Sequence, residues 1–336
     1  MQKDFHYGIV KVLAYYSGFD PEDAEIIAYA SQYVDDATIH KPIKLTKPLE
    51  YESPRVRDNE FDPVCTAHKG LQFIEDFKKS VQEQIYLSFH FIPERPYSGE
   101  EDYSYVTKPD GQLAQILVFR AISHLKNKYT TENLIRLGIA LHTYADTWSH
   151  QNFTGTHSHL HNDIENIEIW DGEKWKKIKP YKQFLNNMFP DIGHAEAYEY
   201  PDMPFLRWRY IKDKTKEMIL RDNPSIFLDA AFHIFEVLSE IHKPRIEWEK
   251  LSARINRFFS VKLTESRERL LYLQEVFPEI QLKYDSNKWR RKALKFLTID
   301  DNPITPGFVG KDYKWFYFHN MAYDQRKFVL ERIKRL

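Results

Sequence analysis

The stretch from Leu134 to His150, LIRLGIALHTYADTWSH, sets the tightest limit on how this chain folds. Ile135, Leu137, Gly138, Ile139 and Leu141 are apolar, and the spacing predicts a buried helix from Thr131 to about Gln151. On that helix His142, Asp146 and His150 fall at i, i+4 and i+8, close to one stripe at 3.6 residues per turn. A lone charged group in such a setting is costly. A cation between the Asp and its two flanking imidazoles relieves that cost, and nitrogen and oxygen are ligands that zinc prefers. The alternative, a helix-surface ladder of Asp–His hydrogen bonds, fits the apolar context less well.

The rest of the chain predicts more helix. Glycine is scarce, 11 in 336 residues, which suits long helices better than a turn-rich β-fold. A short apolar helix spans 5–18. Asp20–Pro21–Glu22 starts a second helix that runs to about Asp36. Pro42, Pro48 and Pro54 make 37–62 an extended surface loop. Residues 64–79 predict a helix broken near Gly70, and 84–93 (QIYLSFHFIP) fit a strand or a buried helix. A helix opens at Pro109–Asp110–Gly111. Residues 166–178 alternate around Asp171–Gly172, a hairpin signal. Further helices are predicted at 210–221, 224–243, 245–259, 263–276, 286–296 and 313–334. The expected fold is all-α: one helical metal-binding domain over 1–336, with a hairpin-containing insertion at 155–190.

Net charge is −1, so the composition demands neither nucleic acid nor an anionic membrane as partner, and leaves nucleic acid open. No apolar run approaches the ~20 residues that span a bilayer, so no stable membrane insertion is expected. One cysteine, Cys65, cannot form an intramolecular disulfide, and no signal segment is evident; both point to the cytoplasm.

Other side chains suit a metal. Asp4 and His6 stand two apart at a helix end. Asp35 and Asp36 close an apolar helix, where acids oppose the macrodipole. His90 lies among apolar neighbours, where either a satisfied core histidine or a recessed ligand fits. His194 and Asp202 flank a turn at Pro201, and His161 with Glu165 forms a rival i, i+4 pair. His157 and His159 sit in a polar loop. His40, His68, His124, His233 and His242 read as structural, and His319 as a group behind the ligands.

The run LGIALHTYADTWSHQNFTG resembles the central motif of the zinc-dependent phospholipase C and single-strand nuclease superfamily. There, His-x-x-x-Asp is followed by another His and often by Asn–Phe–Thr, here Asn152–Phe153–Thr154. The stretches DFHYG, AYASQYVDDAT and DTWSHQNF resemble more closely an uncharacterised bacterial family related to it. The resemblance implies an all-helical fold holding three zinc ions in a cleft. It implies His6 on one metal, Asp35 near the metal pair with Asp36 as its neighbour, and His90 completing that pair. His142 and Asp146 would serve the pair, with Asp146 bridging. His150 would join His194 and Asp202, or His161 and Glu165, on the third ion.

Three departures are visible. The secreted enzymes bind metal through the amine of their first residue, a role that here passes to Asp4 or is absent. His150 follows Asp146 by four positions instead of six. The last ligand pair is displaced by the insertion. Two or three zinc ions are therefore expected, and other divalent ions suit the same donors. The implied activity is hydrolysis of a phosphate ester, small or polymeric, of phospholipase C or nuclease type. A metal-bridged hydroxide would attack, with Asp35 and Asp146 as the catalytic carboxylates. Trp148, Phe153, Tyr198, Phe205 and Trp208 could wall a pocket, but aromatics at such positions are more often core, and Arg207 and Arg209 could meet phosphate but are more readily explained as solvated surface groups. A non-catalytic helical protein braced by structural metals is the alternative.

Overall fold

The computed structural model describes residues 1–45, 48–68, 75–76, 78–178, 192–299, 302–308 and 312–336. The chain opens with a π-helical segment, Asp4–Ile9, that runs directly into α1 (Val10–Tyr16). Next comes α2 (Pro21–Asp36), with Pro at its first position and acids in its first turn, as the sequence predicts. The expected loop over 37–62 contains three short strands. β1 (Ile43–Lys44) and β2 (Val56–Arg57) flank β3 (Glu60–Phe61) in an antiparallel sheet. Phe61 is buried between Trp315 and Phe316, with ring centroids 5.4 and 4.8 Å away, so the loop is pinned from within.

Of the helix expected over 64–79, residues 69–74 and 77 lie outside the described residues, and its described start, 64–68, is irregular. The ambiguous segment at 84–93 is helical: α3 (Lys79–Val81) continues as a second π-helical segment, Gln82–His90. Two long helices follow, α4 (Gln112–Asn127) and α5 (Thr131–Ser149). Thr130 caps α5 by accepting the Asn133 N–H at 3.4 Å. After the short α6 (His159–Asn162), β4 (Ile164–Trp170) and β5 (Trp175–Lys177) form the expected hairpin. Its turn has Gly172 at φ +114°, and Asp171 Oδ1 accepts the N–H groups of Glu173 and Lys174, both at 2.9 Å. Residues 179–190 of the expected insertion lie outside the described residues.

The all-α expectation does not hold. Among the described residues the protein is mixed α/β, with antiparallel sheets of three, four and two strands. The main correction lies where a helix is expected over 210–221. There stand β6 (Arg207–Lys212) and β7 (Met218–Asp222), which extend the hairpin into a sheet of order β5-β4-β6-β7. On β6, Trp208, Tyr210 and Lys212 are buried while Arg207, Arg209 and Ile211 are more exposed. That is a period of two, which a helix would scatter around its circumference.

The remaining helices start and end close to expectation: α7 (Asn223–Ser239), α8 (Trp248–Phe259), α9 (Ser266–Val276) and α10 (Lys288–Ala293). The backbone then pairs β8 (Leu294–Ile299) with β9 (Asn302–Phe308) before α11 (Lys314–Leu330) closes the chain. Helix α5 is the axis of the core, with α2, α4, α7 and α11 packed around it. Gln325 of α11 donates to Thr143 Oγ1 at 2.8 Å and to the Ser88 carbonyl at 3.1 Å, locking α5 to the second π-helical segment. No described helix is long and apolar enough to cross a membrane.

Candidate metal centre

Four helical segments and the stretch 194–202, which brings His194 and Asp202, deliver the site. His6 lies in the first π-helical segment, and His90 is the last residue of the second. Such wide turns re-aim side chains and recur at functional sites. Asp35 comes from the end of α2. His142 and Asp146 come from the last turns of α5, and His150 is its C-cap. The guanidinium of Arg221, fully buried, donates to the carbonyls of Trp148 and Ser149 at 3.1 and 3.0 Å. It thereby satisfies the open end of α5 beside His150.

Asp146 is the hub. Its Oδ1 lies 2.6 Å from the Met1 amine and 3.1 Å from His6 Nε2. Its Oδ2 lies 3.3 Å from both His90 Nδ1 and His142 Nε2, and 3.6 Å from His150 Nδ1. Asp35 Oδ1 faces His142 Nε2 at 3.7 Å and His90 Nδ1 at 4.0 Å. On the other side, Asp202 Oδ1 stands 3.0 Å from the Met1 amine and 3.8 Å from His150 Nε2, and its Oδ2 stands 3.7 Å from His194 Nε2. Backbone carbonyls orient the imidazoles: Thr66 for His90 Nε2 at 2.9 Å, His90 for His150 Nδ1 at 2.8 Å, and Tyr198 for His194 Nδ1 at 2.9 Å.

Charge follows this arrangement. Burial alone would raise the Asp146 carboxyl, but His150, the Met1 amine, His142 and His6 hold it well below the usual carboxylate range. Asp202 is lowered in the same way: burial opposes ionisation, and the Met1 amine, His194 and His150 overcome it. Burial pushes His6 down to about 4 and His150 down to about 3, so both rings are neutral at pH 7 and have lone pairs to give. The Met1 amine is also buried, yet Asp146 and Asp202 hold it up at about 11.

These residues fit metal ions. Their ligand atoms fall into three groups: His6–Asp35–His142, His90–His142–Asp146 and His150–His194–Asp202. The N···O separations of 3.1 to 4.0 Å from His6, His90, His142, His150 and His194 to the carboxylates are long for charged hydrogen bonds. They are close to the ~3.3 Å edge of a tetrahedron whose metal–ligand bonds are ~2.0 Å. Neither ring nitrogen of His6 makes a hydrogen bond, nor do His142 Nδ1 and Asp202 Oδ1, although all are buried. Unsatisfied buried donors and acceptors cost free energy that coordination would recover.

Residues 1–333 match DUF6765, described as a family of unknown function. The chain belongs to the DUF6765 family. No curated protein and no solved structure matches it.

In this DUF6765 member the site also corrects several expectations. Asp4 is not at the cluster. Its carboxylate turns away to Arg269, whose Nε and Nη2 reach it at 2.8 and 3.1 Å, and the Met1 amine occupies the place beside Asp146. Asp36 accepts from Tyr284 at 2.7 Å, which leaves Asp35 as the α2 carboxylate facing the imidazoles. His194 and Asp202 approach His150, whereas Glu165 pairs with Lys216 on the sheet. Trp148, Phe153 and Trp208 are core residues, the commoner fate of such aromatics. Arg207 and Arg209 are engaged by Asp222 and Glu168. His319 binds the backbone of Val64 in the core. The sequence reading passes over Phe91, whose ring stacks on His150 at 4.3 Å, and places His68 among structural histidines although it lines the cavity above the cluster.

Proposed function

We propose that this DUF6765 protein is a zinc-dependent hydrolase of phosphate esters, acting on phosphodiesters. One observation carries the reading: the ligand cluster is the floor of an open cavity. Asp35, His90 and His150 line a space of about 460 Å³ that also reaches Gln32, His68 and Phe91. Catalytic metal sites keep an open position, whereas structural ones are closed by protein ligands. Bound divalent cations supply Lewis acidity and lower the pKa of water.

The chain's own groups have distinct tasks in this reading. Asp146, with both oxygens engaged, aligns the imidazoles and holds the two halves of the cluster together. Asp35 is 30% exposed and is the carboxylate at the cavity that accepts the proton of the attacking water. Phe91 buttresses His150 and offers an apolar wall to the esterified group. The substrate is a small phosphodiester or a nucleic acid strand, and the single cysteine suits a cytoplasmic setting.

Elemental analysis of purified protein tests the metal, and release of 4-nitrophenol from bis(4-nitrophenyl) phosphate tests the activity. Roughly two to three zinc ions per chain are expected, in line with the three ligand groups. Chelator should abolish turnover and zinc should restore it. D146N should lose metal and fall by more than about 100-fold, the loss typical of removing an outer-shell partner alone. Protein that stays metal-free in excess zinc, or that holds zinc and cleaves no phosphodiester, refutes the reading.

A further inference from the structure

Beside the metal cluster lies a second constellation. His68 Nδ1 is 2.5 Å from Asp76 Oδ1, and Tyr86 donates to the other oxygen, Oδ2, at 2.7 Å. Gln82 fixes the same residue by donating to the Asp76 carbonyl at 3.0 Å. The imidazole is thus oriented by a carboxylate that is itself clamped, the arrangement that fixes a catalytic histidine. His68 also occupies a boundary. It lines the cavity above the metal cluster and a neighbouring cavity of about 620 Å³ that contains Arg55, Cys65 and Arg326.

We propose that His68 is the proton donor to the leaving oxygen of the phosphodiester, with Asp76 and Tyr86 as its positioning residues and the second cavity receiving the departing alcohol. This rests on the hydrolase reading above and names the acid that it lacks. Attack on phosphorus forms one P–O bond and breaks the bond to the leaving alkoxide. The alkoxide takes the His68 proton and departs as an alcohol. The proton of the attacking water passes to Asp35, and solvent then resets both groups. The sum is diester plus water giving monoester plus alcohol.

Elimination among the described cavity residues supports the choice. Asp35, His90 and His150 belong to the ligand groups. The ammonium of Lys3 lies over the Tyr284 ring, 5.5 Å from its centroid. Burial and the neighbouring Asp76 raise the Tyr86 phenol far above neutrality. His68 remains. The hydrogen bond it donates to Asp76, and then the Cys65 side chain, lift it to about 9, against a smaller opposing effect of burial. It is therefore an imidazolium at pH 7 and still far more acidic than an alcohol. Of the other charged groups at the two cavities, Arg55 is paired with Asp62, Arg335 with Glu83, Glu75 with Lys78, Lys327 with Glu331, and an Arg326 Nη with the Cys65 carbonyl, so Asp76 is the carboxylate bonded to the ring.

Leaving groups separate this role from a structural one. 4-Nitrophenolate departs without a proton, whereas an alkoxide needs one. H68Q should therefore lose about 10²- to 10⁴-fold on an alkyl phosphodiester and less than about 10-fold on bis(4-nitrophenyl) phosphate. Its zinc content should match that of the unaltered protein. D76N, a gentler change, should move the high-pH limb of alkyl ester turnover from about 9 towards the ordinary histidine value near 6.5. Equal losses on both esters, loss of zinc, or an unmoved limb would overturn the role of His68 and leave the hydrolase reading intact. Failure of the unaltered protein to cleave either ester would remove both.

Discussion

At the residue scale, the buried histidines divide by what satisfies them. His6 has no hydrogen-bond partner on either nitrogen and stacks on His142 at 3.9 Å, which is how a ligand waits. His319 instead accepts the Val64 N–H on Nδ1 at 3.0 Å and packs edge-on against Trp315 at 4.4 Å, so only its Nε2 is left unpartnered. Burial, with Arg55, Arg290 and Arg326 nearby, pushes His319 down to about 3. Its unfolded counterpart takes a proton near 6.5, so the unfolded chain binds more protons between those values. The stability from neutral His319 is therefore complete above pH 6.5 and is lost as pH falls, by up to about 1.4 kcal/mol per unit. In denaturant titrations of chelator-treated protein between pH 4 and 7, H319Q should flatten the slope by about that amount. The sequence holds the His142–Asp146–His150 stripe because periodicity alone places it. It places Asp4 among the ligands and His68 among the structural histidines, because no local pattern announces the partner of either, Arg269 or Asp76.

At the element scale, the helices that carry ligands were legible and the sheet was not. Apolar spacing marks α2, α5, α7 and α11, helped by Pro in the first turn of α2 and α7 and by the Thr130 cap of α5, since each signal is local to its helix. The RWRYIK strand reads poorly in isolation because its alternation is short and mixes aromatic with long basic side chains, and its partner β4 lies about 40 residues upstream. The two π-helical segments have no sequence signature, though both end in or contain a site histidine. What aligns α2 with α5 is close approach. At Gly138 an added Cβ would press into the Ile27 carbonyl oxygen and lie 2.7 Å from Ala30 Cβ. G138A should therefore force α2 away, at a cost of about 1–3 kcal/mol from overpacking. The displacement separates Asp35 from His142 and His90, so zinc content should fall together with the melting temperature. A melting temperature that drops while zinc stays full would mean that the helix spacing does not set the site.

At the scale of the whole molecule, the site joins chain segments that are far apart in sequence, and one buried ion pair holds its two ends. Asp4 and Arg269 are 2% and 1% exposed, and the guanidinium also donates to Gln2 Oε1 and to the carbonyls of Leu263 and Thr264. The first π-helical segment, which carries His6, is thereby tied to the start of α9. D4A leaves Arg269 buried and unpaired, and breaking such a pair costs about 3–5 kcal/mol. Chemical denaturation of the zinc-free protein should show that loss directly. Because Asp4 touches none of the ligand atoms, D4A that is still folded should bind zinc with the full stoichiometry. A ligand role for Asp4 makes the opposite forecast: a missing metal ion with little change in the stability of the zinc-free fold. The double variant D4A/R269M separates the two further. It removes the stranded charge along with its partner, so it should recover much of the stability lost in D4A. If Asp4 were a ligand, removing Arg269 as well could restore nothing, and the double variant would remain short of zinc.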